Sequence, residues 1–473
     1  MNFVPALAEI WLAASALVLT LGGVFSKAES WKGWYAVALL ALVGSVVVAA
    51  RHYNGPATLF DDMFVQDNLA VGFKTIIAVA VFVSLLLAVP YFDRRHEGKF
   101  EYPLIVLLAT TGMYGMVSSQ DFLALYVSLE LQSLSLYVLA SIRRDQRHNS
   151  EAGLKYFFLG ALSSGLLLYG ISLLYGYTGS THYLAIANTL AQGNLSAAQI
   201  VAMVLTLSGL AFKISAAPFH MWAPDVYQGA PTPVTALFAM APKLAAVGVL
   251  CRLVTGPLSS VFEQMQQVLV ILSVLSLAVG AFAAIAQSNI KRLMAYSSIG
   301  HVGFIVMALA VGGASGIGAA FLYGILYVIM SACAFAVILA VYDGSDSKED
   351  IDKLSGLAKT HPVLAFSFAA ALLSMAGIPP LVGFLAKFYV LRAALDAGLV
   401  TLVVIGVLAS VVSAYYYIRL IKIMYFDAAK GNAVPVNSRI WSGIALLSAL
   451  LLIVLLVYPS PLSTFVQWAV AGL

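Results

Sequence analysis

Fourteen stretches of this 473-residue chain are apolar over close to the length that an α-helix needs to cross a hydrocarbon core, about 20 residues. They lie at about 3–25, 31–50, 69–91, 102–118, 121–141, 152–176, 197–222, 231–255, 264–287, 292–313, 317–342, 361–391, 398–425 and 440–458. Charged or Gly/Pro-rich breaks separate them, although 102–118 and 121–141 are nearly continuous. None shows the ten-residue alternation of a membrane barrel. The expected fold is all-α: a polytopic bundle of about fourteen transmembrane helices. Composition agrees, with 62% hydrophobic and 10% charged residues against about 25% charged in a soluble domain. A water-facing surface cannot be assembled from this chain. That excludes a soluble enzyme, a nucleic-acid-binding protein and a disordered chain. The first run has no basic segment before it and no small-residue cleavage site after it, so it reads as a retained helix.

Lysine and arginine orient the bundle. The odd-numbered connections and the adjoining helix ends hold 17 of the 25 basic residues, while the even-numbered ones hold Arg51, Arg252 and Arg392. This bias puts the odd connections in the cytoplasm and both termini on the periplasmic side. Five lysines remain inside the spans: Lys74, Lys155, Lys213, Lys243 and Lys387. With them stand the acids Glu9 and Glu130. An ionisable group at membrane depth costs at least about 2.5–3.5 kcal/mol, so these seven are the candidates for function.

Glu130 lies deep in its span on a face shared with Tyr126, Ser133 and Tyr137, which points into the bundle. Lys213 shares a face with Thr206, Gly209, Ala217 and His220, a small and polar stripe suited to a channel. Beyond it Pro218 breaks the helix at membrane depth, which is tolerated only where the backbone is buried or lines a wet cavity. Lys243 is central in its span among Ala236, Ala239 and Ala246. Lys387 follows a second interruption, Gly377-Ile378-Pro379-Pro380-Leu381-Val382-Gly383. For each, a structural ion pair or a plain helix kink is the competing reading. Lys155 can relay protons or snorkel to the surface, Lys74 is expected to snorkel, and Glu9 has no evident partner. His220 and His301 are weaker candidates, because histidine titrates nearest neutral pH. The cluster Tyr415-Tyr416-Tyr417 is expected to pack or anchor at an interface.

The interrupted helices are five spans apart. Two repeats of five therefore fit spans 4–8 and 9–13, and an odd number of crossings inverts the second in the membrane, a transporter architecture. The chain divides into a three-helix segment (1–100), a first repeat (101–260), a second, inverted repeat (261–430) and a C-terminal helix (431–473). Only Cys251 and Cys333 are present, with no CxxC, no Cys/His cluster and no GxGxxG after a strand. Any redox chemistry is expected on another polypeptide.

Four segments carry a resemblance: YVSLELQSLSLYVLASIRRDQRHNSEAGLKYFFLGALSSGLLLYGISLLYGYTG (126–179), LAFKISAAPFHMWAPDVYQGAPTPVTAL (210–237), KRLMAYSSIGHVGF (291–304) and SMAGIPPLVGFLAKFYV (374–390). In order and spacing they closely resemble the subunit N family of bacterial NADH-quinone oxidoreductase, respiratory complex I. Related subunits L and M, and sodium/proton antiporter subunits, typically carry Trp-Glu where this chain has Leu129-Glu130. The resemblance implies a multi-pass protein of the bacterial inner membrane that moves protons. Glu130 and Lys213 match the family's charged pair, Lys243 its bridging lysine, Lys387 the residue nearest the exit or the next subunit, and Lys155 the lysine opening the sixth helix. It also implies that FMN, iron–sulfur clusters and quinone are held by other subunits, and that the partners are membrane subunits, including a neighbouring antiporter-like one. The alternative is a subunit of a multisubunit sodium/proton antiporter.

Overall fold

The computed structural model describes residues 3–26, 30–53, 55–192, 195–342, 349–428, 436 and 438–472. Its helices are α1 Leu7–Phe25, α2 Trp31–Arg51, α3 Asn68–Arg94, α4 Glu101–Ser118, α5 Phe122–Ala140, α6 Arg147–Thr178, α7 Tyr183–Leu190, α8 Ala197–Lys213, α9 Trp222–Gly229 and α10 Thr232–Thr255. There follow α11 Phe262–Ile285, α12 Ile290–Val311, α13 Gly313–Tyr342, α14 Leu357–Thr360, α15 Pro362–Ala376, α16 Val382–Asp396, α17 Val400–Tyr425, α18 Arg439–Val457 and α19 Ser460–Val470. Among the described residues, eleven helices are long and apolar enough to cross a membrane; α4 and the broken pairs α8/α9 and α15/α16 complete the fourteen expected spans.

Helix starts follow local chemistry. Asp67 accepts from Ala70 N–H at 2.8 Å to cap α3, Asp121 caps α5, and Ser196 with Gln199 forms a capping box on α8. Two features were not expected. A two-stranded hairpin, β1 Ala57–Leu59 and β2 Phe64–Gln66, joins α2 to α3 through Phe60, Asp61 and Asp62, all at positive φ. The short helix α19 follows the last span and packs on α3 and α13. Neither run is long enough to register as a span.

The five-helix units repeat in their packing. In the first, α4 packs on α5 and on α10, α5 on α6, and α6 on both halves of the broken helix, α8 and α9. In the second, α11 packs on α12 and on α17, α12 on α13, and α13 on both α15 and α16. Because each unit crosses five times, the second runs opposite to the first. Helix α10 is buried along its whole apolar stretch, and α12 and α13 nearly so. Their mutual contacts form the centre of the bundle. Ridges of small side chains (Ala236, Ala239, Ala245, Ala246) let α10 sit there.

Candidate functional site

Three buried lysines stand on α8, on the central α10 and on α16. Lys213 is the last residue of α8 and is 6% exposed. Its ammonium donates to Ser133 Oγ at 2.9 Å, Ser164 Oγ at 3.3 Å and Tyr137 Oη at 3.4 Å. Ser133 and Tyr137 are the residues that share a helix face with Glu130, so the expected stripe on α5 does converge on this lysine. Glu130 itself is partly buried and acts on Lys213 electrostatically, without direct contact between the charged groups. The other expected stripe differs. Thr206 and Gly209 pack against α6, where a Cβ on Gly209 would stand 2.6 Å from Leu167 Cβ. Their small size serves close helix packing, not a channel wall.

The break after Lys213 is fully dressed. Trp222 Nε1 donates to the carbonyl of Phe212 at 2.9 Å, and Ala217 N–H donates to Ser276 Oγ at 2.9 Å. Ser215 takes a left-handed φ of 57° at the turn. Trp222 in turn stacks on Tyr156, ring centroids 4.4 Å apart, which seats α9 on α6. His220 lies within the break between α8 and α9, half-exposed, and touches none of the three lysines among its described contacts.

Lys243 follows Pro242 in the unbroken α10. Proline removes the donor that the carbonyl of Phe238 would otherwise receive. The lysine donates to Ser298 Oγ at 2.5 Å and lies 5.5 Å from the Tyr227 ring centroid. A small cavity of about 10 Å³ is lined by Lys243, His301, Tyr327 and Gly324. His301 is buried between two phenols, with Nδ1 2.7 Å from Tyr323 Oη and Nε2 3.2 Å from Tyr417 Oη.

Lys387 stands on α16, one turn past the second break. It donates to the carbonyl of Ala376, the final residue of α15, at 2.8 Å and to Ser410 Oγ at 2.8 Å. Its Nζ is 5.1 Å from the Phe304 ring centroid. Glycine is required here on steric grounds: a Cβ on Gly383 would fall 1.9 Å from the carbonyl oxygen of Ser374.

Lys155 belongs to a different arrangement. It pairs with Glu151 at 2.9 Å and Asp225 at 3.0 Å, and Asp225 also pairs with Arg292 at 2.5 Å. Lys155, Glu151 and Asp225, with the pair of buried Lys291 and half-buried Glu349 at 2.9 Å, line a polar cavity of about 780 Å³ that includes Arg143 and Tyr342. The cavity opens among the ends of α6, α9, α12 and α13, at the side of the Lys/Arg-rich connections.

The expectation that Lys74 snorkels is overturned. Lys74 is 1% exposed and lies 2.6 Å from Glu9 Oε1, which supplies the partner that Glu9 lacked in sequence. The hairpin is the reason: Phe64 on β2 covers the ammonium at 5.1 Å and closes its way to the surface. A second pair of this kind joins Arg252 bidentately to Asp67, at 2.7 and 3.0 Å. Burial pushes the Asp67 carboxyl up, but the Arg252 guanidinium beside it more than reverses this and holds it below the usual carboxylate range. Partners far apart in sequence carry no sequence signal, and both pairs went unread for that reason. Tyr417 did leave a signal. Ser410, Ser413 and Tyr417 repeat the i, i+3, i+7 spacing that marked Glu130, Ser133 and Tyr137.

Comparison with known proteins places this architecture. Residues 119–413 match the transmembrane family described as NADH:quinone oxidoreductase/Mrp antiporter. The NADH-quinone oxidoreductase subunit N of Paramagnetospirillum magneticum is 48% identical over 470 residues, covering 98% of this chain and 96% of that protein. The subunit N of Parvibaculum lavamentivorans is 46% identical over 476 residues, covering 100% and 98%. A chain in the structure of respiratory complex I from Thermus thermophilus is 33% identical and superposes with a TM-score of 0.84, covering 97% of this chain and 98% of that one. A chain of the Mrp complex from Dietzia sp. superposes with a TM-score of 0.85 at 23% identity, covering 100% and 98%, a likeness of fold alone.

Proposed function

The chain belongs to the NADH-quinone oxidoreductase subunit N family of antiporter-like membrane proteins, and from that premise we propose that its buried lysines carry the proton translocation of the enzyme. Oxidation of NADH and reduction of quinone take place on other subunits, which hold the FMN, the iron–sulfur clusters and the quinone site. In the bacterial inner membrane this chain lies beside other membrane subunits of the complex, one of them antiporter-like, with both termini periplasmic. The boundaries 101–260 and 261–430 describe its two working halves.

One observation carries the reading. Lys213, Lys243 and Lys387 lie buried on three helices drawn from both repeats, and each donates to neutral oxygens with no carboxylate in contact. A structural ion pair needs the opposite arrangement. A lysine held this way exchanges its proton in response to charges at a distance, because desolvation disfavours the ammonium and a nearby carboxylate favours it. Glu130 is that carboxylate for Lys213. A change in its charge or distance releases a proton from Lys213 toward Lys243, and the charge arriving at Lys243 drives the next transfer toward Lys387. Protons are collected at the 780 Å³ cavity, where Lys155, Glu151 and Asp225 form part of the rim.

Glu130→Gln tests the assignment. In the intact assembly, in inverted membrane vesicles, NADH-driven proton uptake is expected to fall by about a hundredfold, the scale of a lost proton-transfer group. Glu130→Asp should do less harm. Uptake at the parent rate by the Gln variant overturns the role. The fold likeness to the Mrp chain keeps a sodium/proton antiporter subunit as a second reading. Sodium-driven proton exchange without NADH would establish it instead.

A further inference from the structure

Around His301, which shares a small cavity with Lys243, hydrogen bonds lead to hydroxyl groups that the lysine mechanism leaves unused. We infer that a ladder of hydroxyls on α17, Tyr417, Tyr416, Ser413 and Ser410, carries protons from His301 to Lys387. This rests on the proposed function above and names the groups that span its last step.

Hydrogen bonds fix the two ends of the ladder, and the face of α17 connects them. His301 shares the small cavity with Lys243, and both Lys243 and Lys387 act on it electrostatically. Its Nε2 meets Tyr417 Oη at 3.2 Å, and Tyr417 Oη meets Ser297 Oγ at 2.5 Å. Tyr416 packs against Tyr417 with ring centroids 4.4 Å apart, and Ser413 lies one helical turn before both on α17. At the far end Ser410 accepts from Lys387 at 2.8 Å and itself donates to the carbonyl of Ala376 at 3.2 Å. Ser410, Ser413 and Tyr417 lie on one helix face, spanning about 10 Å of axis. One helical turn between Ser413 and Ser410 is crossed by a hydroxyl swing or by one water. Both tyrosines are 1% exposed, whereas Tyr415 between the same turns is 58% exposed.

Such a ladder moves charge without ionising any rung. A phenol or serine hydroxyl donates one hydrogen bond and accepts others, and a neutral imidazole donates from one nitrogen and accepts at the other. A proton entering at His301 Nδ1, the side of Tyr323, releases the proton on Nε2 to Tyr417. Each hydroxyl then accepts one proton and passes on its own, and the last reaches a neutral Lys387. Every O–H formed is matched by one broken, and no other reactant is needed. The ladder is left pointing the other way. It carries a second proton only after the His301 tautomer and the hydroxyls turn back, which makes it a one-proton turnstile.

The test uses the full assembly in inverted vesicles. Tyr417→Phe removes one oxygen and keeps the packed ring, and NADH-driven proton uptake is expected to fall by about tenfold or more. Ser410→Ala is expected to lose a similar share, and the double variant no more than either single change, because rungs in series fail together. Tyr415→Phe should pump as the parent. Full uptake in Tyr417→Phe overturns the ladder, and so do losses that simply add in the double variant, since independent structural damage behaves that way. Should Tyr417→Phe not assemble, Ser410→Ala and Ser413→Ala, singly and together, decide the same question. Lys387→Met separates the two levels. If it pumps normally the lysine reading itself fails, whereas its failure beside a fully active Tyr417→Phe removes only the ladder.

Discussion

At the first break, between α8 and α9, the lysine stands on the helix that ends; at the second, between α15 and α16, it stands on the helix that begins. The consequences differ. The carbonyls left open at the end of α8 are met by Trp222 and the backbone of the turn, so the Lys213 ammonium is free to donate only to the hydroxyls of Ser133, Ser164 and Tyr137. At the end of α15 the lysine is itself the cap: Lys387 donates to the carbonyl of Ala376, where the helix dipole presents negative charge. Lys213 has a carboxylate acting on it from α5, and Lys387 has none in contact. One break sets its ammonium among hydroxyls with a carboxylate acting on it, and the other sets its own against a helix end.

The sharpest way to break this comparison is at Gly383. Its Cβ position is occupied by the Ser374 carbonyl, and the first break has no glycine in a matching role. Gly383→Ala is expected to prevent α15 and α16 from closing, with loss of the subunit from the purified complex. Normal assembly would show that the second break is softer than its geometry indicates.

Next in size is Lys387. Lys387→Met removes the proposed proton carrier and the cap together, and redox-driven pumping should stop. Lys387→Arg keeps a cap and a charge but stays protonated, with a pKa above about 12, so it should fail almost as completely. Vesicle acidification assays compare the two. If arginine pumps fully, Lys387 is only a fixed cap and the contrast between the breaks disappears.

Lys74→Met examines a charge outside both breaks. It leaves Glu9 buried without its cation, which destabilises by about 3–5 kcal/mol. Reduced thermal stability of the assembled complex is expected, relieved by adding Glu9→Gln, with pumping per assembled complex unchanged. A pumping defect that survives the double change would place this pair on the proton path.

The smallest effect belongs to Pro218→Ala. The turn is held by Ser215 at positive φ, by Ser276 and by Trp222, so one restored N–H does not straighten it. Pumping per assembled complex should hardly change. A large loss would mean that the proline, and not this scaffold, keeps the first break open.

Much of this organisation was legible before any coordinates. The spans follow from hydropathy, because in lipid only a helix satisfies its own backbone. The breaks follow from proline and glycine inside apolar runs, and the α5 face from helical spacing. The same spacing rule applied to α17 marks Tyr417, and the expected packing of the tyrosine cluster holds for Tyr416 and Tyr417, while Tyr415 is exposed. Other readings could not have been made. Thr206 and Gly209 are small and polar whether they line water or admit α6, and only the position of α6 separates the two.

Chain chemistry alone therefore determined how many times this protein crosses the membrane, where its helices break and which charges are too deep to be accidental. Each of these is a local property, set by the cost of exposing a backbone or a charge to hydrocarbon. Tertiary structure decided what those charges touch: Glu9 for Lys74, Asp67 for Arg252, hydroxyls for Lys213, a helix end for Lys387. Partners are chosen by helices brought together from distant parts of the chain. For a charge in a low-dielectric interior, the neighbour a few ångströms away sets whether it is a brace, a cap or a proton carrier.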